Sequence, residues 1–216
     1  DTDAERMNMF NDFMQNGFSG DIDVEITLFT KMLGTISTSK DPRNFAKVTF
    51  FANKLVQDGN KKASEFLQEA YGPPLGVGKT SLSKKDIKNP NATSLNISPT
   101  VKTIQPDTFA GLKNLIYINL PPSIETIGQG AFKGCKNLTW ISINSKVTEV
   151  EQSAFEDCPE LRFVDLSPSI TIIKEGAFRK CISLEQVYIP KSVTTIEKNA
   201  FHGCKKLKVV HMSAST

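Results

Sequence analysis

Residues 124–146 read IETIGQGAFKGCKNLTWISINSK, and residues 147–169 read VTEVEQSAFEDCPELRFVDLSPS. Laid one above the other, they align Ala131-Phe132 with Ala154-Phe155, Cys135 with Cys158, and Leu138 with Leu161. The same 23-residue step leads on to Ala177-Phe178, Cys181 and Leu184, and then to Ala200-Phe201, Cys204 and Leu207. One step back, Thr108-Phe109, Leu112 and Leu115 hold the same columns. A fixed period in the range of about 20–29 residues with an apolar framework marks a solenoid, in which each unit buries its face only against its neighbours.

Each unit runs I/V-x-x-I/V, three residues, A-F-x-x-C-x-x-L-x-x-I/V-x-I/L, with copies beginning at Val101, Ile124, Val147, Ile170 and Val193. Ser94 to Pro99 matches only the second half of a unit, as an atypical capping repeat would. Ala-Phe, Cys and Leu, at offsets 0, 1, 4 and 7, lie on one helical face and so line the core from the back. The I/V-x-I/L end of each unit alternates as a half-buried strand does.

This pattern resembles the BspA-like class of leucine-rich repeat. The resemblance covers residues 95–213, and the first copy departs from it at Thr108 and Leu112. It implies an arc of short parallel strands, one per repeat, with tighter turns behind. It also implies a protein-binding role, often at the surface of, or secreted from, bacteria and protists.

The rest of the chain has a different texture. Residues 1–72 show four amphipathic stretches with helix start and stop signals: Met7 to Met14, Ile26 to Ile36, Phe45 to Val56 and Ala63 to Tyr71. Asp41-Pro42 supplies a cap with proline at the first helical position. Residues 73–94, rich in Pro, Gly, Ser and Lys, read as a connector carrying the chain's one basic cluster, Lys79, Lys84, Lys85 and Lys88. The expected fold class is therefore α+β. A small N-terminal helical bundle (1–72) precedes a connector (73–94) and a leucine-rich-repeat solenoid (95–216) with a parallel sheet of one short strand per repeat.

Composition narrows the function. A net charge of +3 with dispersed basic residues argues against nucleic acid as a partner. No stretch is long and apolar enough to span a membrane. Gly72 to Thr80 approaches a phosphate-binding loop, but Pro73 stands where glycine is required. His202 and His211 have no nucleophile beside them. Glu149 and Glu151 fall in variable surface slots. No catalytic, cofactor-binding or metal-ligating set emerges, and the chain reads as a non-enzyme.

The four cysteines admit a reduced core column, two disulfides or a thiolate metal site. Leu112 in the same column of the first copy favours an apolar pocket. Redox state stays open. Asn91, Asn96 and Asn137 begin glycosylation sequons that matter only in a secreted protein.

The sharpest functional signal is the outward strand column Tyr117, Trp140, Phe163, Gln186, Val209. Beside it run Asn119, Ser142, Asp165, Tyr188, His211 and, on the other flank, Ile116, Thr139, Arg162, Glu185, Lys208. An aromatic ridge rimmed by polar residues suits the centre of a protein interface. The expected partner-binding residues are Tyr117, Trp140, Phe163, Asn119, Ser142, Asp165, Arg162, Glu185 and Tyr188. The alternative is that the N-terminal helices fold back over this ridge. The last strand, Val209 to Met212, is expected to leave an open edge, covered by a partner, by self-association or by further sequence. Three functions follow: a scaffold binding a protein through its strand face, an accessory subunit of a larger assembly, or a secreted or cell-surface adhesin. The sequence leaves localisation unassigned.

Overall fold

The structure, a computed structural model, describes residues 42–143 and 146–212. The expected helices at Met7 to Met14 and Ile26 to Ile36 lie outside the described residues, as does Asp41. The chain divides into two units at the Leu67/Gln68 junction.

In the first unit, α1 (Pro42–Gln57) buries Val48, Phe51, Ala52 and Leu55, a three-and-four spacing that makes one continuous stripe. Proline at its first position loses no helical hydrogen bond, because the first N–H groups of a helix have no internal acceptor. Gly59, at φ +78, turns the chain. Asn60 then caps α2 (Lys61–Tyr71), its Oδ1 accepting the Ala63 N–H at 2.9 Å. The Phe45 and Phe66 rings meet at 6.0 Å, joining the two helices. Gly72, at φ +92, ends α2 in the left-handed conformation usual after a helix.

The second unit is a series of parallel strands in two columns. One column holds β1 (Pro74–Leu75), β3 (Ser94–Ile97), β5 (Tyr117–Asn119), β7 (Trp140–Ile143), β9 (Phe163–Leu166), β11 (Gln186–Ile189) and β13 (Val209–Met212). A second column, around the turn, holds β2 (Ser81–Leu82), β4 (Thr103–Ile104), β6 (Thr126–Ile127), β8 (Glu149–Val150), β10 (Ile172–Ile173) and β12 (Thr195–Ile196). Register follows the period: Tyr117 opposes Ser94, Phe163 opposes Trp140, and Val209 opposes Gln186. Where ladder pairing lapses between β5 and β7, the Thr139 N–H still reaches the Ile116 carbonyl at 3.0 Å.

Residues 73–94 hold β1, β2 and a short 3-10 helix, Lys84–Asp86. Pro74 opposes Asn96 and Leu82 opposes Ile104, so this segment makes a turn of the array one residue shorter than the others. It lacks the Ala-Phe and Cys columns from which the period is read. Of the four lysines here, Lys79 pairs with Asp86. That ammonium, first, and the Ser83 N–H hold the carboxyl down to about 2.

The core is a set of stacked columns. Phe109, Phe132, Phe155, Phe178 and Phe201 form a ladder with centroids 5.0 to 5.3 Å apart. The first four are fully buried. Each buried Phe N–H donates to the Ala carbonyl of the next turn at 2.8 Å, from Phe109 to Ala131 through Phe178 to Ala200. Aligned backbone bonds bring the rings to one spacing and leave the turns no freedom to slip.

Two further columns set the tight turns. Asp107, Gly130, Ser153, Gly176 and Asn199 all have φ between 55 and 63. Gly111, Gly134, Asp157, Lys180 and Gly203 have φ between 61 and 78. Left-handed backbone suits Gly and, among the rest, Asn and Asp, which explains most of these identities. Lys180 and Ser153 are held there against their preference.

Candidate functional site on the strand face

The alternation expected of each strand is present: Ile118, Ile141, Val164 and Val187 point into the core, and the residues on either side point out. The outward column starts at α2. Tyr71 stands 23 residues before Ser94, whose Oγ donates to the Tyr71 carbonyl at 3.2 Å. The small Ser94 side chain leaves room for the Tyr71 ring to meet Tyr117 edge-on at 5.4 Å. Tyr117 in turn stacks on Trp140 at 6.5 Å, with 14° between the planes. Tyr71 thus extends the aromatic ridge. The period does not mark it: the first turn steps by 22 residues, so Tyr71 lies one residue off the repeat register, and it also completes a helical stripe.

Exposure along the ridge is least at Trp140 and rises from there onward. Trp140 is only 5% exposed, Tyr117 and Phe163 are half-buried, and Gln186 is exposed. The neighbouring column follows the same course: Asn119 is 2% exposed, Ser142 and Asp165 are half-buried, and Tyr188 is 55% exposed. Arg162 and Glu185 are exposed on the other flank. The structure therefore groups Phe163, Asp165, Arg162, Glu185, Gln186 and Tyr188 on accessible surface. Trp140 and Asn119 lie beneath it.

The polar column is internally bonded. Asn119 Nδ2 donates to Asn96 Oδ1 at 2.8 Å, and Asn96 Nδ2 donates to the Gly72 carbonyl at 3.0 Å. Two turns on, Ser142 Oγ donates to Asp165 Oδ2 at 3.1 Å. These side-chain rungs run parallel to the backbone ladder and fix the face before anything binds it. The sequon at Asn96 is consumed by this arrangement, whereas Asn91 and Asn137 are exposed.

The other candidate groups have structural settings. Glu149 and Glu151 clasp Lys174 at 2.6 and 2.9 Å, and the ammonium holds the Glu149 carboxyl below its ordinary range. All four cysteines are free thiols, each donating to the Phe carbonyl 26 residues earlier at 3.1 to 3.2 Å. Burial pushes Cys135 up to about 12 and Cys204 up to about 11, and raises Cys158 and Cys181 as well. A thiol that keeps its proton is a poor nucleophile and a poor ligand. Among the described residues no three His, Cys, Asp or Glu side chains are placed to hold a metal. No described helix is long and apolar enough to cross a membrane.

Comparison with known proteins agrees with this geometry. The solenoid is similar to a leucine rich cell surface protein of Faecalibacterium prausnitzii, at 34% identity and a TM-score of 0.56, over 58% of this chain and 33% of that one. It is similar to the T. pallidum leucine rich repeat protein at 30% identity and a TM-score of 0.53, over 55% of this chain and 57% of that one. A leucine-rich repeat protein of Bacteroides ovatus, 21% identical with a TM-score of 0.51 over 67% of this chain and 44% of that one, shares the fold. The match thus spans between a third and somewhat over half of the solved proteins' lengths. No curated protein matches in sequence. The family model for the BspA type leucine rich repeat region matches residues 80–208 with 6 copies, more than half the chain. The chain belongs to the BspA-type leucine-rich repeat family.

Proposed function

We propose that the chain is a non-enzymatic interaction module that binds a protein partner through the exposed half of its strand face. The family is one of repeat scaffolds, whose parallel turns present a rigid extended surface. The observation that carries the reading is the gradient of exposure. The aromatic ridge is closed at Trp140 and opens at Phe163, Gln186 and Tyr188, with Arg162, Glu185 and Asp165 around it. Aromatic and Arg anchors with a polar surround are the residue types that concentrate binding energy in interfaces. Their attachment to a hydrogen-bonded ladder means that little ordering entropy is lost on binding.

A cell-surface setting is a second reading, favoured by the similarity to the Faecalibacterium cell surface protein. Under it the same face serves as an adhesin. A third, an accessory subunit held permanently in a larger assembly, uses the same surface without dissociating.

Affinity capture from native extract tests the proposal, comparing the chain with a Phe163→Ala, Tyr188→Ala double variant of unchanged circular dichroism. A partner held by the first and lost by the second supports the strand face. Equal recovery by both removes the face from the interface.

A further inference from the structure

One junction between turns is interrupted in both strand columns. In the second column β2, β4 and β6 form one ladder, and β8, β10 and β12 form another. The first column breaks at the same level, between β5 and β7, and again between β9 and β11. Beside that later break β8 and β10 remain paired, so only the junction after β5 and β6 lacks both ladders.

Backbone bonds follow the same division. At the preceding junction the Glu125 N–H reaches the Lys102 carbonyl at 2.7 Å and the Gly128 N–H reaches that of Ile104 at 2.8 Å. At the following junction Thr171 and Lys174 make the equivalent bonds to Thr148 and Val150, at 2.7 and 2.9 Å. Thr148 and Glu151 hold these positions at the interrupted junction, and among the described residues neither N–H reaches the preceding turn. Side chains divide likewise. Lys102 ties Glu125 within the earlier turns, and Lys174 ties Glu149 and Glu151 within the later ones. The Asn96 to Asn119 rung falls on one side and the Ser142 to Asp165 rung on the other. Tyr117 and Trp140, facing each other across the junction, are 6.5 Å apart, against 5.0 to 5.3 Å along the phenylalanine ladder.

The back of this junction is intact. Gly130, Phe132 and Gly134 donate their N–H groups to the carbonyls of Gln152, Ala154 and Glu156 at 3.0, 2.8 and 2.9 Å. Lys133 and Lys136 pair with Glu156 and Asp157 across it, and Phe132 stacks on Phe155 at 5.2 Å. Towards the front, among the described residues, the backbone crosses it only from Thr139 to Ile116 and from Lys146 to Ile124, at 3.0 and 3.1 Å. Ile127 and Val150 are still buried, so the front is shut in this structure.

We infer that this junction is a hinge. The turns before and after it move as two bodies about the Phe132–Phe155 stack, parting between β5 and β7 and between β6 and β8. Opening here breaks fewer backbone bonds than at the junctions on either side, and local opening follows the places where such bonds are fewest. Phe163, Gln186 and Tyr188 all lie on one side of it, so the hinge and the proposed binding surface stand or fall separately.

Residue-resolved hydrogen exchange on the full chain tests this, together with a disulfide across the front from Thr126→Cys and Glu149→Cys. These positions lie one period apart, and neither side chain is buried. Thr103→Cys with Thr126→Cys, opposed in the ladder of the preceding junction, is the control. Both variants, reduced, keep the native circular dichroism. In the native chain the amides of residues 140–143 and 146–150 exchange at least about tenfold faster than those of 163–166 and 169–173, one turn on. Oxidising the 126–149 pair slows residues 140–143, in the other column, about tenfold, and the control disulfide leaves them unchanged. Equal exchange in the two sets of amides overturns the inference. So does a 126–149 disulfide that slows only the residues beside it, or one that fails to form where the control forms.

Discussion

The Cys158 thiol donates to the Phe132 carbonyl 26 residues earlier at 3.2 Å, and the identical bond recurs from Cys181 to Phe155. Cysteine in this column fills a buried apolar position and satisfies a carbonyl of the preceding turn. Leu112 can do only the first. The thiols are therefore structural, and their chemistry in the folded chain should be suppressed.

In the native state only Cys204, the one half-buried thiol, should react with a disulfide reagent on the minute scale, while all four react in denaturant. Rapid labelling of two or more in the native chain would show that the column is not closed.

The same burial predicts alkaline instability. A thiol raised above its unfolded pKa, near 9.0, binds its proton more tightly when folded. The stability it contributes is complete below pH 9 and is lost as pH climbs towards about 12 for Cys135. Cys135, Cys158 and Cys181 together steepen the loss, each by up to about 1.4 kcal/mol per pH unit. Urea midpoints should be flat between about pH 7 and 8.5 and fall steeply above 9. A midpoint unchanged at pH 10.5 would contradict the shifts.

Phe155 stacks between Phe132 and Phe178 at 5.2 and 5.3 Å with no exposure. Phe155→Ala should cost about 3–5 kcal/mol and Phe155→Leu clearly less, since leucine refills part of the cavity. Equal losses for the two would mean that stacking geometry, rather than volume, is what the column requires.

Much of this architecture is legible from the period alone. Ala-Phe, Cys and Leu mark the core, and the strand columns follow by alternation. The short first turn is not legible, because after Leu82 the 3-10 helix Lys84–Asp86 stands where other turns carry Ala-Phe and Cys, and the register steps by one residue less. The depth of Trp140 is hidden too: a column of outward residues reads alike whether or not something lies over part of it. The left-handed columns were visible only where Gly fills them, and Lys180 gives no sign of its φ of 62.

That conformation gives a test by substitution. Lys180→Gly should stabilise the chain by about 0.5 kcal/mol, the relief of left-handed strain exceeding the extra unfolded-state entropy of glycine. Gly134→Ala, in the same column at φ 72, should destabilise by about 1 kcal/mol. A destabilised Lys180→Gly would mean that the lysine side chain contributes more than its backbone costs.

The asparagine rungs yield a further one. Asn96→Ala removes the acceptor of the buried Asn119 amide and should cost about 1–3 kcal/mol in chemical denaturation. A neutral effect would show that the rung adds nothing to the backbone ladder beside it.

The most direct test of the central claim places a photo-crosslinking residue at position 188, on the open strand face, and separately at position 180, in the turn column. Irradiation in native extract should give a discrete adduct from position 188 and none from position 180. An adduct from 180 with none from 188 would contradict binding through the strand face.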